Sequence, residues 1–176
     1  NQILHHFAFE SLVALAFLGA RRRSVPRAEL LSSASWLAAL ARRDLVVFDD
    51  PELEPRLASA LDALVAAGDL TESGGELRVG AGSHDLDAAA SLAMHASHLS
   101  TWLESTRITA RALRALAPGV VEPQAEVVAR ALRIGRQMFL GGSLDRREAS
   151  SAPTVSATLD AFVDEGLLAR KQEGLS

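Results

Sequence analysis

Five histidines and no cysteine bound the chemistry that this 176-residue chain can carry. His95 and His98 are three residues apart in a stretch with helical spacing, so both imidazoles reach one face; a carboxylate such as Glu104 brought near would complete the start of a zinc site. No third strong ligand lies within a turn of them, and a structural role is the expectation. His5 and His6 are adjacent and leave a helix in different directions, which points to packing or solvent. The absence of cysteine removes thiolate zinc sites, a thiol nucleophile and any disulfide framework. Serines are plentiful, but none stands in a Gly-x-Ser-x-Gly turn and no motif ties a serine to a histidine and an aspartate. The paired glycines Gly74–Gly75 and Gly141–Gly142 fall in a turn and at a helix end, without the spacing of a dinucleotide or phosphate loop. This reading assigns no catalytic residue, no metal ligand and no cofactor.

Arginine is the other chemically active residue, with 17 of the 18 basic positions and only Lys171 as lysine. Arg21, Arg22 and Arg23 follow an apolar segment. At a helix C-terminus such cations gain roughly 0.3 to 1 kcal/mol from the macrodipole. As a basic patch they could instead face lipid headgroups or a phosphorylated substrate, each adding about 1 kcal/mol at an anionic membrane surface. Arg107, Arg111 and Arg114 form a second stripe at +4 and +3, most simply a solvated face.

The elements that must position these groups are mainly helical. Ala and Leu dominate, aromatics are 5% and tyrosine is absent, a balance that suits helix over strand. With 48% hydrophobic and 23% charged residues and a net charge of -4, the chain falls among globular proteins, not among disordered or strongly basic ones. The opening stretch is apolar nearly all round from Leu12 to Leu18 and predicts a helix buried on several sides, stopping at Gly19. Leu30, Ala34, Leu37 and Ala41 mark a second helix after Pro26, and Leu57, Leu61, Leu64 and Val65 a third, starting near Asp50–Pro51 and ending at Gly68. Leu70 to Val79 alternates around Gly74–Gly75 and predicts a small hairpin. Leu92, Ala96, Leu99, Leu103, Ala110 and Leu113 fit one long helix or two. Pro123 opens a helix with the stripe Val128, Leu132 and Phe139, in which Gly135 would admit a neighbouring helix. Asp145 and Glu148 have capping-box spacing for a short helix. The last helix runs from about Pro153 to Gly166 with Val155, Leu159, Phe162 and Val163 buried. The uncharged run Ser11 to Ala20 is shorter than the roughly 18 residues that span a bilayer.

Leu61–Leu70 (LDALVAAGDL) and Leu159–Leu168 (LDAFVDEGLL) read alike, each a helix closed by a glycine and followed by a leucine entering an extended segment. The expected fold class is therefore mainly α: a helical bundle with two winged-helix-like helix-turn-strand units and a short β-hairpin near 70–79. Two sub-units of roughly 1–82 and 83–176 are expected within one helical domain. Winged-helix units invite a DNA-binding or protein-interaction reading, but Ser150 to Gly166 holds no Lys or Arg and does hold Asp160, Asp164 and Glu165. Acidic recognition helices oppose phosphate neutralisation, so no nucleic acid is expected as a partner.

The segment NQILHHFAFESLVALAFLG closely resembles the start of the C-terminal region of the glycerol-3-phosphate and dihydroxyacetone-phosphate acyltransferases. SVPRAELLSSASWLAALARRDLVVFDDPELEPRLASALDALVAAGDL is similar to the next two helices of that family, STWLESTRITARALRAL to its long helix, and LRIGRQMFLGGSLDRREASSAPTVSATLDAFVDEGLL to its terminal block. The resemblance implies a parent enzyme that moves an acyl group from coenzyme A or acyl-carrier protein to the sn-1 hydroxyl of glycerol 3-phosphate, at the cytoplasmic face of the cell membrane. It carries over Asn1, Gln2, Phe7, Glu104, Arg107, Gly135, Arg136 and Gln137 as family-motif residues with structural or interdomain roles. The family's catalytic signature is His, four residues, Asp. Here the fifth residue after each histidine is Glu10, Ser11, Ala89, Ser100 or Leu103, so the signature is absent. The resemblance thus implies a catalytic domain upstream of Asn1 as the principal partner, acyl thioester and glycerol 3-phosphate as ligands of the full-length enzyme, a peripheral membrane surface as a further candidate partner, and a fragment inactive alone.

Overall fold

The computed structural model describes residues 8–43, 52–81, 87–116, 119–171 and 174–175, which form two compact units, 1–99 and 100–176. The division falls at Leu99–Ser100 and not near residue 82, because the helix Ala88–Ser97 packs on the first helix of the chain and so belongs to the first unit. Both units are mainly helical, as composition and periodicity require.

In the first unit, α1 (Ala8–Ala20) is the centre about which α2 (Arg27–Ala41), α3 (Leu53–Ala66) and α4 (Ala88–Ser97) pack. Phe9, Leu12, Val13, Ala14, Ala16 and Phe17 are all buried, which is why this helix has almost no polar face. It stops at Arg21, not at Gly19: Arg21 adopts φ +52° while a Cβ on Gly19 would meet nothing. Of the predicted α2 and α3 stripes, Leu30, Ala34 and Ala41, and Leu57, Leu61 and Leu64, are buried, whereas Leu37 and Val65 are half-buried and Ala38, Leu40 and Ala60 complete the buried faces. Leu53 starts α3, and Pro55 is accommodated in its first turn, where a missing N–H costs nothing; the start expected at Asp50–Pro51 lies outside the described residues.

The hairpin forms as β2 (Leu70–Ser73) and β3 (Glu76–Val79), and a two-residue strand, β1 (Val25–Pro26), joins it to give the antiparallel order β1-β3-β2. Val25 pairs with Leu77, and Leu77 with Glu72 across the other edge. β1 carries too few residues for alternation to announce it. Pro26 occupies an edge strand, where a residue with no N–H is tolerated, and then caps the start of α2.

In the second unit α5 (Ser100–Arg114), α6 (Gln124–Leu140), a 3₁₀ turn (Arg147–Ala149) and α7 (Ala152–Asp164) enclose a core of Ile108, Ala112, Val127, Ala131, Met138, Leu144, Ala149, Val155 and Leu159. β4 (Arg170–Lys171) and β5 (Gly174–Leu175) pair antiparallel at its end. Two expected stripes shift register. The stretch read as one helix or two is two, interrupted at His98–Leu99, and the buried face of α5 is Trp102, Ser105, Ile108, Thr109 and Ala112, leaving Leu103 39% exposed. On α6 the buried line is Val127, Ala131, Gly135 and Met138, one residue from the predicted line of larger side chains. Small residues face inward there because the helices lie close, and Val128 and Leu132 are left partly buried and Phe139 39% exposed.

The repeated glycine ends are realised twice with one geometry. Gly68 has φ +80° and Gly166 φ +69°. Each donates its N–H to the carbonyl three residues back, Val65 or Val163, while the next residue donates to the carbonyl five back, Leu64 or Phe162, which is the Schellman arrangement. The copies then diverge: Leu70 opens β2 directly, whereas Leu168 packs partly buried against the core and the strand waits until Arg170.

Candidate functional site

Four of the five residues of the second unit that the resemblance singles out, Glu104, Arg107, Gly135 and Arg136, gather about one joint. Glu104 on α5 accepts the backbone N–H of Asp145 at Oε1 (2.9 Å) and of Arg146 at Oε2 (3.3 Å). One turn away on each side, Arg107 donates to the Ser143 carbonyl at a long 3.5 Å and Thr101 Oγ1 accepts from Arg146 at 3.4 Å. Residues three apart on a helix share a face, so one edge of α5 clasps the chain as it leaves α6. The short helix expected from an Asp145–Glu148 box is instead the 3₁₀ turn Arg147–Ala149, with no side-chain cap. The orphan amides there are taken by Glu104 from another helix.

Gly135 explains why the joint closes. A Cβ at this position would lie 2.2 Å from Ser150 Oγ, 2.7 Å from Ser150 Cβ and 3.2 Å from Ile108 Cδ1. Only a glycine lets α6 approach the segment between the 3₁₀ turn and α7. Arg136 follows it on the exposed side, lining a half-open cavity of about 480 Å³ with Leu132, Phe139, Leu140, Arg147 and Ser150. Gln137 is exposed, and its carbonyl accepts the N–H of Gly141 in the last turn of α6. Asn1, Gln2 and Phe7, with His5, His6 and His84, lie outside the described residues.

The first unit holds a buried polar cluster that sequence reasoning missed. Asp69, 4% exposed, accepts the Ser91 hydroxyl at 2.8 Å, and the same carboxylate oxygen lies 3.9 Å from His95 Nε2. His98 Nδ1 is 3.4 Å from Ser11 Oγ, and the His95 and His98 rings meet edge to face at 6.4 Å. The available signal was Asp69 itself, a charged residue just past a helix end, where an apolar contact usually stands. Serine, histidine and aspartate are together here, yet the serine donates to the carboxylate and not to an imidazole, so the serine–imidazole contact of a nucleophilic triad is not made. Among the described residues no three His, Asp or Glu side chains are grouped so as to hold an ion, and Glu104 is committed to the Asp145 and Arg146 amides.

Of the arginine patch, Arg22 is engaged by both oxygens of Glu29 at 3.0 and 3.1 Å, and Arg21 carries the left-handed turn that ends α1. The three residues lie just beyond the helix, not in its last turn. Among the described residues no helix is long and apolar enough to cross a membrane.

The decisive comparison covers both units: residues 1–171 match the glycerol-3-phosphate acyltransferase C-terminal region. The chain belongs to that family. No curated protein matches it. As a glycerol-3-phosphate acyltransferase C-terminal region it brings Glu104, Arg107, Gly135 and Arg136 to one joint, and the chemistry of the first three is mechanical: two carboxylate oxygens on backbone amides, a guanidinium on a carbonyl, and a missing Cβ.

Proposed function

We propose that this region is a non-catalytic scaffold of a glycerol-3-phosphate 1-O-acyltransferase, supporting a catalytic domain that supplies the general base. In the parent reaction the sn-1 hydroxyl of glycerol 3-phosphate attacks the thioester carbonyl of acyl-coenzyme A or acyl-carrier protein, releasing the thiol and giving 1-acylglycerol 3-phosphate at the cytoplasmic face of the membrane. The observation that carries the reading is the family match over 1–171 joined to a chain without the His-x4-Asp signature. A general base must lie within hydrogen-bond reach of the hydroxyl it deprotonates, and the imidazole of the one His–Ser–Asp grouping among the described residues, Asp69–Ser91–His95, faces the Asp69 carboxylate and not an open cleft. The purified chain, given labelled glycerol 3-phosphate and acyl-coenzyme A, is expected to form no labelled lipid above a protein-free control. Product formation lost on His95→Ala would overturn the scaffold reading.

The connectivity helix, strand, helix, helix, strand, strand in the first unit also suits a nucleic-acid or protein interaction module. The charges oppose the nucleic-acid form of that reading: α3 presents Glu54 and Asp62 beside Arg56, which lies 5.6 Å over the Phe9 ring and 4.0 Å from Glu52. Fluorescence anisotropy at moderate salt is expected to show no duplex binding.

A further inference from the structure

The groove beside Arg136 has a composition that structural bookkeeping leaves unexplained. Leu132, Arg136, Phe139 and Leu140 follow at +4, +3 and +1 on α6, and Arg147 and Ser150 face them from the 3₁₀ turn and its end. The volume of about 480 Å³ lies within the range of roughly 300–1,000 Å³ typical of small-molecule sites. Its apolar side is made by Leu132, Phe139 and Leu140, and Leu140 (75% exposed) and Phe139 are left uncovered at its edge. Among the described residues neither the Arg136 nor the Arg147 guanidinium has a hydrogen-bond or ion-pair partner, which is equally true of Arg111, Arg114 and Arg133; what sets the pair apart is that both line one groove from different elements. The described residues that line the groove include no carboxylate.

We infer that this groove binds an anionic amphiphile, a phosphate monoester bearing an acyl chain, with Arg136 and Arg147 on the phosphate and Leu132, Phe139 and Leu140 along the chain. Two planar guanidinium forks on different elements suit a dianion with three equivalent oxygens better than a carboxylate, which one fork saturates. The apolar wall supplies what a free phosphate would not use. Gly135 holds the groove to its width by bringing α6 against Ser150, so the site depends on the same close approach that closes the joint. The inference rests on the groove and not on the acyl-transfer reading, which supplies only the most natural probe, since 1-acylglycerol 3-phosphate has both parts.

The test is isothermal titration of the chain with 1-decanoylglycerol 3-phosphate below its micelle concentration. Saturable one-to-one binding is expected, with glycerol 3-phosphate, decanoate and uncharged 1-decanoylglycerol each at least about tenfold weaker, or ~1.4 kcal/mol. Arg136→Gln and Arg147→Gln should each lose about tenfold in affinity. Both residues are exposed, so thermal midpoints should hold, and Arg78→Gln on β3 should bind as the parent does. Absence of saturation at millimolar ligand overturns the inference, as do equal affinities for the charged and uncharged amphiphiles or full affinity in both arginine variants. Binding only to anionic vesicles, with none to the monomeric amphiphile, also overturns it and marks a surface effect. Failure of this titration leaves the scaffold reading standing, and acyl transfer by the chain leaves the titration interpretable.

Discussion

Gly135→Ala is the perturbation that most directly tests how the second unit closes. In an open helix this change gains about 1 kcal/mol, because alanine restricts the unfolded chain and favours helix. Here the new methyl would stand 2.2 Å from Ser150 Oγ and 2.7 Å from its Cβ, both closer than real Cβ contacts come, and 3.2 Å from the Ile108 terminal methyl. Overpacking of that kind costs about 1–3 kcal/mol, which outweighs or cancels the propensity gain. Ser150→Gly removes both close atoms, leaving only Ile108 Cδ1, the end of a side chain that can move a few tenths of an ångström. The alanine should then become neutral or stabilising, giving a coupling energy of about 1–3 kcal/mol in the double-mutant cycle. Ser150→Ala keeps the 2.7 Å conflict and should rescue only in part. Urea unfolding followed at Trp102 in a Trp36→Phe background reads the second unit alone, since the two tryptophans lie one in each unit. A coupling below about 0.5 kcal/mol, or a Gly135→Ala protein as stable as its parent, would refute the close approach.

Four further outcomes follow from the same geometry. Gly68→Ala and Gly166→Ala each place a Cβ at positive φ and should cost about 1 kcal/mol, seen as a thermal midpoint lower by about 2–4 °C, while Glu165→Ala stays near neutral. Arg21→Gly relieves φ +52° and should add up to about 1 kcal/mol of stability, read as a higher thermal midpoint; a fall would mean that the side chain matters more than its backbone. Glu104→Ala leaves the Asp145 and Arg146 amides without their carboxylate and should cost about 1–2 kcal/mol by denaturant melt, with Glu104→Gln intermediate. Arg27, bonded to Asp62 at 2.7 Å and Glu72 at 2.8 Å, has its pKa raised, chiefly by the Asp62 hydrogen bond and against the opposing effect of burial. A raised basic group stabilises at every pH below its unfolded value and loses that only as pH climbs through the folded one. The penalty of Arg27→Gln, about 1 kcal/mol, should therefore be flat between pH 6 and 9 and shrink in molar salt.

The sequence was most legible where one physical requirement acted alone. α1 declares itself because a helix surrounded by three others has no use for a polar face, and Gly68 and Gly166 because a left-handed helix end nearly demands glycine. Legibility failed where size and position conflict. Periodicity weights large apolar side chains, so it chose Val128, Leu132 and Phe139 on α6, whereas close packing put Ala131 and Gly135 on the core line. It likewise carried one register through His98–Leu99, where the chain breaks and restarts, and so aimed Leu103 inward when Trp102 and Ile108 are the buried residues. β1 was invisible for a different reason: two residues cannot alternate, and Val25–Pro26 becomes a strand only because β3 offers it an edge.

The same conflict shaped the candidate site. The family resemblance marked Glu104, Arg107 and Gly135 as special but could not say what they touch, because their partners Asp145, Ser143 and Ser150 are 41, 36 and 15 residues away and are met through backbone atoms or a missing Cβ. Periodicity read Leu132 and Phe139 as core. Their displacement from the core line by Gly135 is what leaves an apolar wall at the surface, next to Arg136 and opposite Arg147. An ordinary core-facing stripe would have buried that wall and left the two arginines as scattered solvated charges. One glycine on α6 therefore both closes the joint with Ser150 and opens the groove beside it, so a variant that restores stability by moving Ser150 away, such as Gly135→Ala with Ser150→Gly, should alter the groove without unfolding the unit.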